Sequence, residues 1–375
     1  MSLYINHAGK SVHFDTSAIR NNYLRDAADK ALSKLFGHFL ATDGSEVVMH
    51  FVFTDHFLDH FKDGPDSMKS EGAMINPTQT FMTGHGNQFG YEFEDGKLTT
   101  VYYALSVPSK WANEKNRAVS REFFSNVEAQ VNGFYSRGFL NSMQQLNISN
   151  GWSYLHACSF AVNGEAYVVT ATPGAGKSSL LLSMCFNEDI HPDFISDDFS
   201  LVDDKGHAHQ IGRAMAIKSH QIQYFPGLQD KLQGMSRWQK MQWFMLKQRG
   251  LKRLATPKEL FGERITTDKP VRQIIYLTNH GKDTFESEKM TVEEFARLNS
   301  NMLFSELYLG MEIFNRALIL PGNKNLNNVA DFIEGTRQNL INIFKDTPCV
   351  LVKVPFRSDP RKCLEFLVKE GIVKK

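Results

Sequence analysis

Residues 171–181, ATPGAGKSSLL, combine two glycines, a lysine and two serines in a spacing suited to phosphate. Such a loop works by presenting backbone N–H groups, so Gly174 and Gly176 let the chain curl and approach closely. The N-terminus of a following helix adds its dipole. Lys177 is placed to reach the β- and γ-phosphates, and the Ser178 hydroxyl to ligate Mg²⁺. Gly174, Ala175, Gly176, Lys177, Ser178 and Ser179 are therefore the candidate nucleotide contacts. The usual pattern opens on glycine, and this one opens on Ala171. If that position needs positive φ, alanine costs on the order of 1 kcal/mol.

Two further features frame the loop. Asn163-Gly164, between the strand-like runs 154–161 and 166–170, is a two-residue hairpin signal. With that turn, Val162 pairs with Glu165 and His156 falls opposite Ala171, beside the phosphates. Downstream, Ser196-Asp197-Asp198 lies inside the apolar run 194–202. Adjacent carboxylates on a strand point to opposite faces, so one of them enters a buried face. A compensating cation makes that tolerable. Mg²⁺–nucleotide is the candidate cation, with one aspartate near the metal and its neighbour orienting an acceptor hydroxyl. The plainer alternatives are a hydrogen-bonded core histidine and a strand that ends in solvent.

These side chains need strands and helices to hold them. EAYVVT reads as a strand entering the loop and SSLLLSMCF as a helix leaving it. QIIYLTN (273–279) and CVLVKVPF (349–356) read as strands. DFIEGTRQNLINIF and DPRKCLEFLVKEG read as helices, the second closed by Gly371. This alternation argues for an α/β domain. Upstream, SLYINHAGKSVHF reads as two strands about an Ala-Gly turn, residues 24–40 as a helix and EVVMHFVF as a strand. Val119, Phe123, Val127, Val131 and Tyr135 recur every four residues, as on one face of a helix packed on a core. NISNGW at 147–152 breaks the pattern. The expected division is an N-terminal α+β domain, 1–150, suited to acceptor recognition, and a nucleotide domain, 151–375.

Composition bounds the partners. The 375 residues are 42% hydrophobic and 22% charged with a formal charge of +1, so nothing calls for a nucleic-acid partner. The four cysteines are scattered, as reduced thiols of a cytoplasmic protein would be. Neither a secretory leader nor an apolar run of membrane-spanning length is expected. The basic stretch 231–264, with Trp238 and Trp243, reads as a lid or acceptor surface, as a nucleic-acid grip, or as the solvated face of an amphipathic helix. His50, His56 and His60 read as aromatic-rich packing with surface histidines, since nothing near them completes a metal set.

LHACSFAVNGEAYVVTATPGAGKSSLLLS…FISDDFSLVD resembles the core of HPr kinase-like proteins, a family with a phosphoenolpyruvate carboxykinase-like P-loop kinase fold. A hairpin histidine, a phosphate loop and an Asp-Asp pair occur there in this order. The resemblance is close over 154–203 and loose over the rest of the C-terminal region. It implies an α/β (α+β) fold with a mixed sheet, with ATP and Mg²⁺ as cofactors. It also implies that Lys177 and Ser178 hold phosphate and metal, that Asp198 is the metal-side carboxylate, and that Asp197 is the base. His156 would support Asp197 or the γ-phosphate, and Lys218 would be a further basic contact. Arg213 and Arg264 are candidates to stabilise the transferring group.

The Glu-Leu-Arg-Gly-type signature of true HPr kinase/phosphorylases is absent, with EGTRQN at 334–339 the nearest match, and residues 1–150 show no likeness to that enzyme. HPr as substrate and the reverse reaction are therefore not implied. The expected activity is transfer of the γ-phosphate to a hydroxyl acceptor, either a protein or peptide serine or a sugar-like small molecule. A homo-oligomer is left open. The alternative is a nucleotide-responsive binding module without transferase activity.

Overall fold

The computed structural model describes residues 2–37, 46–84, 87–107, 126–187, 189–211, 214–225, 227–228, 241, 252–321 and 329–374. The fold is mixed α/β with two mixed sheets. It divides into two units: 1–120, 124–150 and 301–336 form the first, and 121–123, 151–300 and 337–375 the second. Residues 301–336, expected with the nucleotide domain, therefore cluster with the first unit. The physical reason is a close helix approach inside that unit. Asn141 donates to the Leu307 carbonyl at 3.3 Å and Gln144 to Thr336 Oγ1 at 3.0 Å. Gly310 admits Asn141 and Gly335 admits Ile148, where any Cβ would collide.

In the first unit, β1 (Ser2–His7) and β2 (Lys10–Asp15) form the expected hairpin about Ala8 and Gly9, both at positive φ. The remaining strands are β3 (Val47–Thr54), β4 (Met68–Ser70), β5 (Ala73–Ile75), β6 (Gln79–Gly84), β7 (Asn87–Glu94) and β8 (Lys97–Ala104), in the order β1-β2-β3-β8-β7-β6-β5-β4. β3 runs parallel to β2 and β8. Helix α1 (Asn22–Phe36) makes the crossover from β2 to β3, capped by Asn21, and buries Leu24, Ala28, Leu32 and Leu35. That spacing is one helical face.

Two further helical runs, α2 (Asn126–Phe134) and α3 (Leu140–Ser149), are joined by a π-turn at Tyr135–Phe139. Phe14, Phe51, Phe134 and Phe139 pack in a ring cluster, with Phe14 and Phe51 stacked at 5.4 Å. Val127, Val131 and Tyr135 are buried as their spacing predicts; Val119 and Phe123 lie outside the described residues. His50 meets His13, while His56 and His60 share the Thr54 hydroxyl. Among the described residues these histidines build no three-ligand cluster.

The second unit is built on β9 (Ser153–Leu155), β10 (Ala157–Val162), β11 (Glu165–Ala171), β12 (Asp193–Ser196), β13 (Ser200–Val202), β14 (His207–His209), β15 (Met215–Lys218), β16 (Lys252–Ala255), β17 (Lys269–His280), β18 (Glu286–Met290) and β19 (Cys349–Pro355). Its helices are α4 (Lys177–Cys185), α5 (Pro257–Phe261), α6 (Val292–Leu318), α7 (Val329–Phe344) and α8 (Pro360–Lys369), with α6 and α7 crossing the unit boundary. The nine-stranded sheet runs β12-β10-β11-β17-β14-β13-β9, and β19 joins β17 and β18.

β11, β17 and β19 are mutually parallel neighbours. Buried Val168, Val169, Ile274, Ile275 and Val352 make the near-continuous apolar runs that such strands require. Their C-terminal ends lie together, the position at which open α/β sheets bind ligands. Among the described residues, no helix is long and apolar enough to cross a membrane.

Candidate active site

The glycine loop leaves the end of β11. Ala171 is the last strand residue, paired with Leu277 and buried, and its φ is not positive. The strain considered for this alanine does not arise, because the left-handed positions come later, at Gly174 (φ 84) and Gly176 (φ 104). The Thr172 amide donates to the Leu277 carbonyl and the Ala175 amide to Thr172, tying the loop to β17 and to itself. A Cβ on Gly174 or Gly176 would meet nothing, so the backbone angle alone calls for glycine. Gly176 ends the loop and α4 begins at Lys177, whose side chain is mostly buried.

The β10–β11 hairpin has the expected register, from Val162 opposite Glu165 to Ala157 opposite Thr170. The ladder stops there, one residue short of His156. His156 sits at a bend, where its carbonyl accepts from Thr170 Oγ1 at 3.1 Å. The expected single strand over 154–161 is thus two strands. The run 194–202 is interrupted in the same way, by a turn at residues 197–199.

The two interruptions face each other. Leu155 pairs with Ser200 on one side and Ser159 with Ser196 on the other. Each chain crosses the gap in three residues, 156–158 and 197–199, so the pairs that flank the gap share one register, which shifts by one residue beyond Ser159, where Phe160 faces Phe194. The opening is bounded by three buried hydroxyls. Ser159, Ser196 and Ser200 lie 2.6–3.0 Å apart in a closed triangle, and Ser200 also reaches the Ala157 carbonyl.

The aspartates therefore do not alternate across a strand. Asp197 is 5% exposed and accepts from Ser178 Oγ at 3.0 Å. Burial first, and then the adjacent Asp198 charge, push its carboxyl above the ordinary value; Ser178 and Lys177 pull the other way. Asp198 occupies left-handed backbone (φ 70) in a three-residue turn closed by the Phe199 amide on the Asp197 carbonyl. Its half-exposed carboxylate is 3.6 Å from His156 Nε2. The His156 ring stacks on Phe199 at 5.4 Å. The assignment carried over by resemblance put Asp198 beside the metal serine and Asp197 beside the acceptor. In the structure Ser178 meets Asp197, and His156 meets Asp198.

A cavity of about 630 Å³ opens beside residues 174–176. Its walls include Ser179, Tyr224, Asn279, Arg357 and Ser358, from the loop helix, from the turn after Ser219–Gln223, and from the ends of β17 and β19. Hard oxygen donors at Ser178 and Asp197 suit Mg²⁺, and the left-handed glycines and the cavity suit a nucleoside triphosphate.

Arg357 is the cation at this cavity that the sequence argument missed. Its signal was the strand-to-helix break VPFRSDP at a parallel strand's C-terminal end. Of the two proposed arginines, Arg213 lies outside the described residues, and Arg264 donates to the Pro192 carbonyl. Lys218 is exposed at the end of β15. Trp238 and Trp243, with most of the basic stretch, lie outside the described residues.

No family model matches the chain, and no curated protein matches it significantly. Among solved structures it is similar to the Hpr(Ser) kinase/phosphatase from Coxiella burnetii. The identity is 12% and the TM-score 0.27, over 59% of this chain and 96% of that one.

Proposed function

We propose that the second unit is a kinase that takes ATP with Mg²⁺ and passes the γ-phosphate to a hydroxyl acceptor, a protein or peptide serine or a sugar-like small molecule. The observation that carries this reading is the division between the two aspartates. One is buried against the loop serine, and the other is turned toward solvent against a histidine. A site that only binds nucleotide needs the first and has no use for the second.

When bound, Mg²⁺–ATP supplies the phosphoryl group and the charge neutralisation at its oxygens. The amides of Gly174 and Gly176 and the N-terminus of α4 would cradle phosphate oxygens, the Ala175 amide being held by the Thr172 carbonyl. Lys177 adds positive charge, and Ser178 and Asp197 offer oxygens to the ion. The cavity by Tyr224 and Arg357 receives the nucleoside. Asp198 holds the acceptor O–H and takes its proton as the oxygen attacks. His156 fixes the Asp198 carboxylate, and Phe199 fixes the imidazole plane.

The test is transfer from γ-labelled ATP into host extract split into small-molecule and macromolecular fractions. Asp198→Asn is expected to bind Mg²⁺–ATP as the wild type does and to transfer nothing. Asp197→Asn is expected to lose the Mg²⁺ dependence of binding. Wild-type transfer by Asp198→Asn would refute the role of that aspartate. Tight ATP binding by the wild type, with label in neither fraction, would replace the kinase by a nucleotide-responsive binding module.

A further inference from the structure

At the opposite end of β17 from the glycine loop lies a second group of donor atoms. His207-Ala208-His209 is strand β14, so both imidazoles project from one face. β14 lies between β13, which runs into Asp203, and the start of β17, which Asp268 immediately precedes. Three separate segments thus bring two histidines and two carboxylates together. His209 Nε2 is 3.0 Å from Asp203 Oδ2, and His207 Nδ1 is 2.7 Å from Asp268 Oδ1. One donor atom each from Asp203, His209 and Asp268 lies within 4.8 Å of the others.

We propose that Asp203, His209 and Asp268 bind one divalent transition-metal ion of the Zn²⁺ type. Mixed imidazole and carboxylate donors suit such an ion, which takes them at about 2.0–2.2 Å. The donors are also oriented from behind. Asp203 Oδ1 accepts from the amides of Lys205 and His207, which leaves Oδ2 aimed at His209. His207 holds Asp268 in the same manner. Partners of this kind fix a ligand's orientation and raise metal affinity.

Asp268 is exposed, so an ion can enter from solvent. Nine residues of extended chain, about 30 Å at strand rise, separate Asp268 from Leu277 at the glycine loop. The ion would clip the β13–β14 hairpin to β17 and take no part in chemistry at the loop.

The test uses the full chain, stripped with chelator and titrated with Zn²⁺ in the absence of nucleotide, with Co²⁺ absorption as a probe of imidazole ligation. The expected result is one equivalent bound by the wild type and by Asp197→Asn, with a higher melting temperature on binding. Asp268→Asn and His209→Gln are each expected to weaken binding at least about tenfold. Because Asp268 is a surface residue, its variant decides the matter if His209→Gln fails to fold. No stoichiometric uptake by the wild type, or wild-type affinity in Asp268→Asn, would leave a hydrogen-bonded network without a metal and overturn the proposal.

Discussion

Ser178 donates its hydroxyl to Asp197 across 3.0 Å, joining the first turn of α4 to a carboxylate that is almost wholly buried. The Ser178 hydroxyl, the Lys177 charge and the Asp198 amide only partly offset its burial, and the Asp197 carboxyl is accordingly raised above its ordinary value, by burial first and by the Asp198 charge second.

A carboxyl raised in the folded state binds its proton more tightly there than in the unfolded chain. Stability is then lost as pH climbs from the ordinary value, about 4, through the raised one. Asp197→Asn keeps the shape and removes the charge. It should melt higher than wild type at neutral pH, and the difference should vanish below about pH 4. A gain of 1 kcal/mol would appear as roughly 2–4 °C in a unit of this size. An Asp197→Asn protein that melts at or below wild type at pH 7 would contradict the raised carboxyl.

The loop offers a contrast between two small residues. Ala171→Gly restores the familiar opening glycine but places it in a buried, paired strand position. It should lower stability by about 0.5–1 kcal/mol and leave ATP affinity unimproved. Gly176→Ala forces a side chain into φ 104 and should cost more than Ala171→Gly, with loss of nucleotide binding. Thermal melts and ATP titration of both variants check this pair.

The serine triangle has a hub. Ser200 contacts Ser159, Ser196 and the Ala157 carbonyl, whereas removing Ser196 leaves Ser159 and Ser200 still bonded. Ser200→Ala should cost about 1–3 kcal/mol and Ser196→Ala less, about 1 kcal/mol. Equal losses in denaturant melts would mean that the hydroxyls do not act as a network.

The first unit carries its own acid sensitivity. Burial works to raise Asp55, but the amides of Arg20 and Asn21 and the His56 ring outweigh it and lower the carboxyl from 3.8 to about 2. A lowered carboxyl stabilises the fold above its unfolded value, and that contribution is lost as pH falls through about 2. Wild type should therefore shed stability between about pH 4 and pH 2 more steeply than Asp55→Asn, as followed by thermal melts across that range.

The sequence made some elements plain and hid others for physical reasons. Asn163-Gly164 set the β10–β11 register because a two-residue turn allows few others, and the loop glycines declared their backbone angles. The breaks at His156 and at residues 197–199 were hidden, since Tyr154 to Ala161 and Phe194 to Val202 are apolar enough to read as unbroken strands. The contacts of the two aspartates depend on that break, which alternation along a continuous strand does not reveal. Arg357 was missed because its partners at the cavity, Gly174 and Tyr224, are distant in sequence. The histidines of β14 alternate visibly, but their meeting with Asp268 depends on the β14–β17 pairing.

The matched gaps at 156–158 and 197–199 also say which changes of chain length the site can bear. Both chains cross the opening in the same number of residues, and the slack lies just outside it, at the register shift where Phe160 faces Phe194. A one-residue deletion at 197–199 that this shift does not take up would slip β13 by one position against β9 and turn Ser200, Leu201 and Val202 to the wrong faces of the sheet. The opening is therefore more readily resurfaced by substitution than shortened.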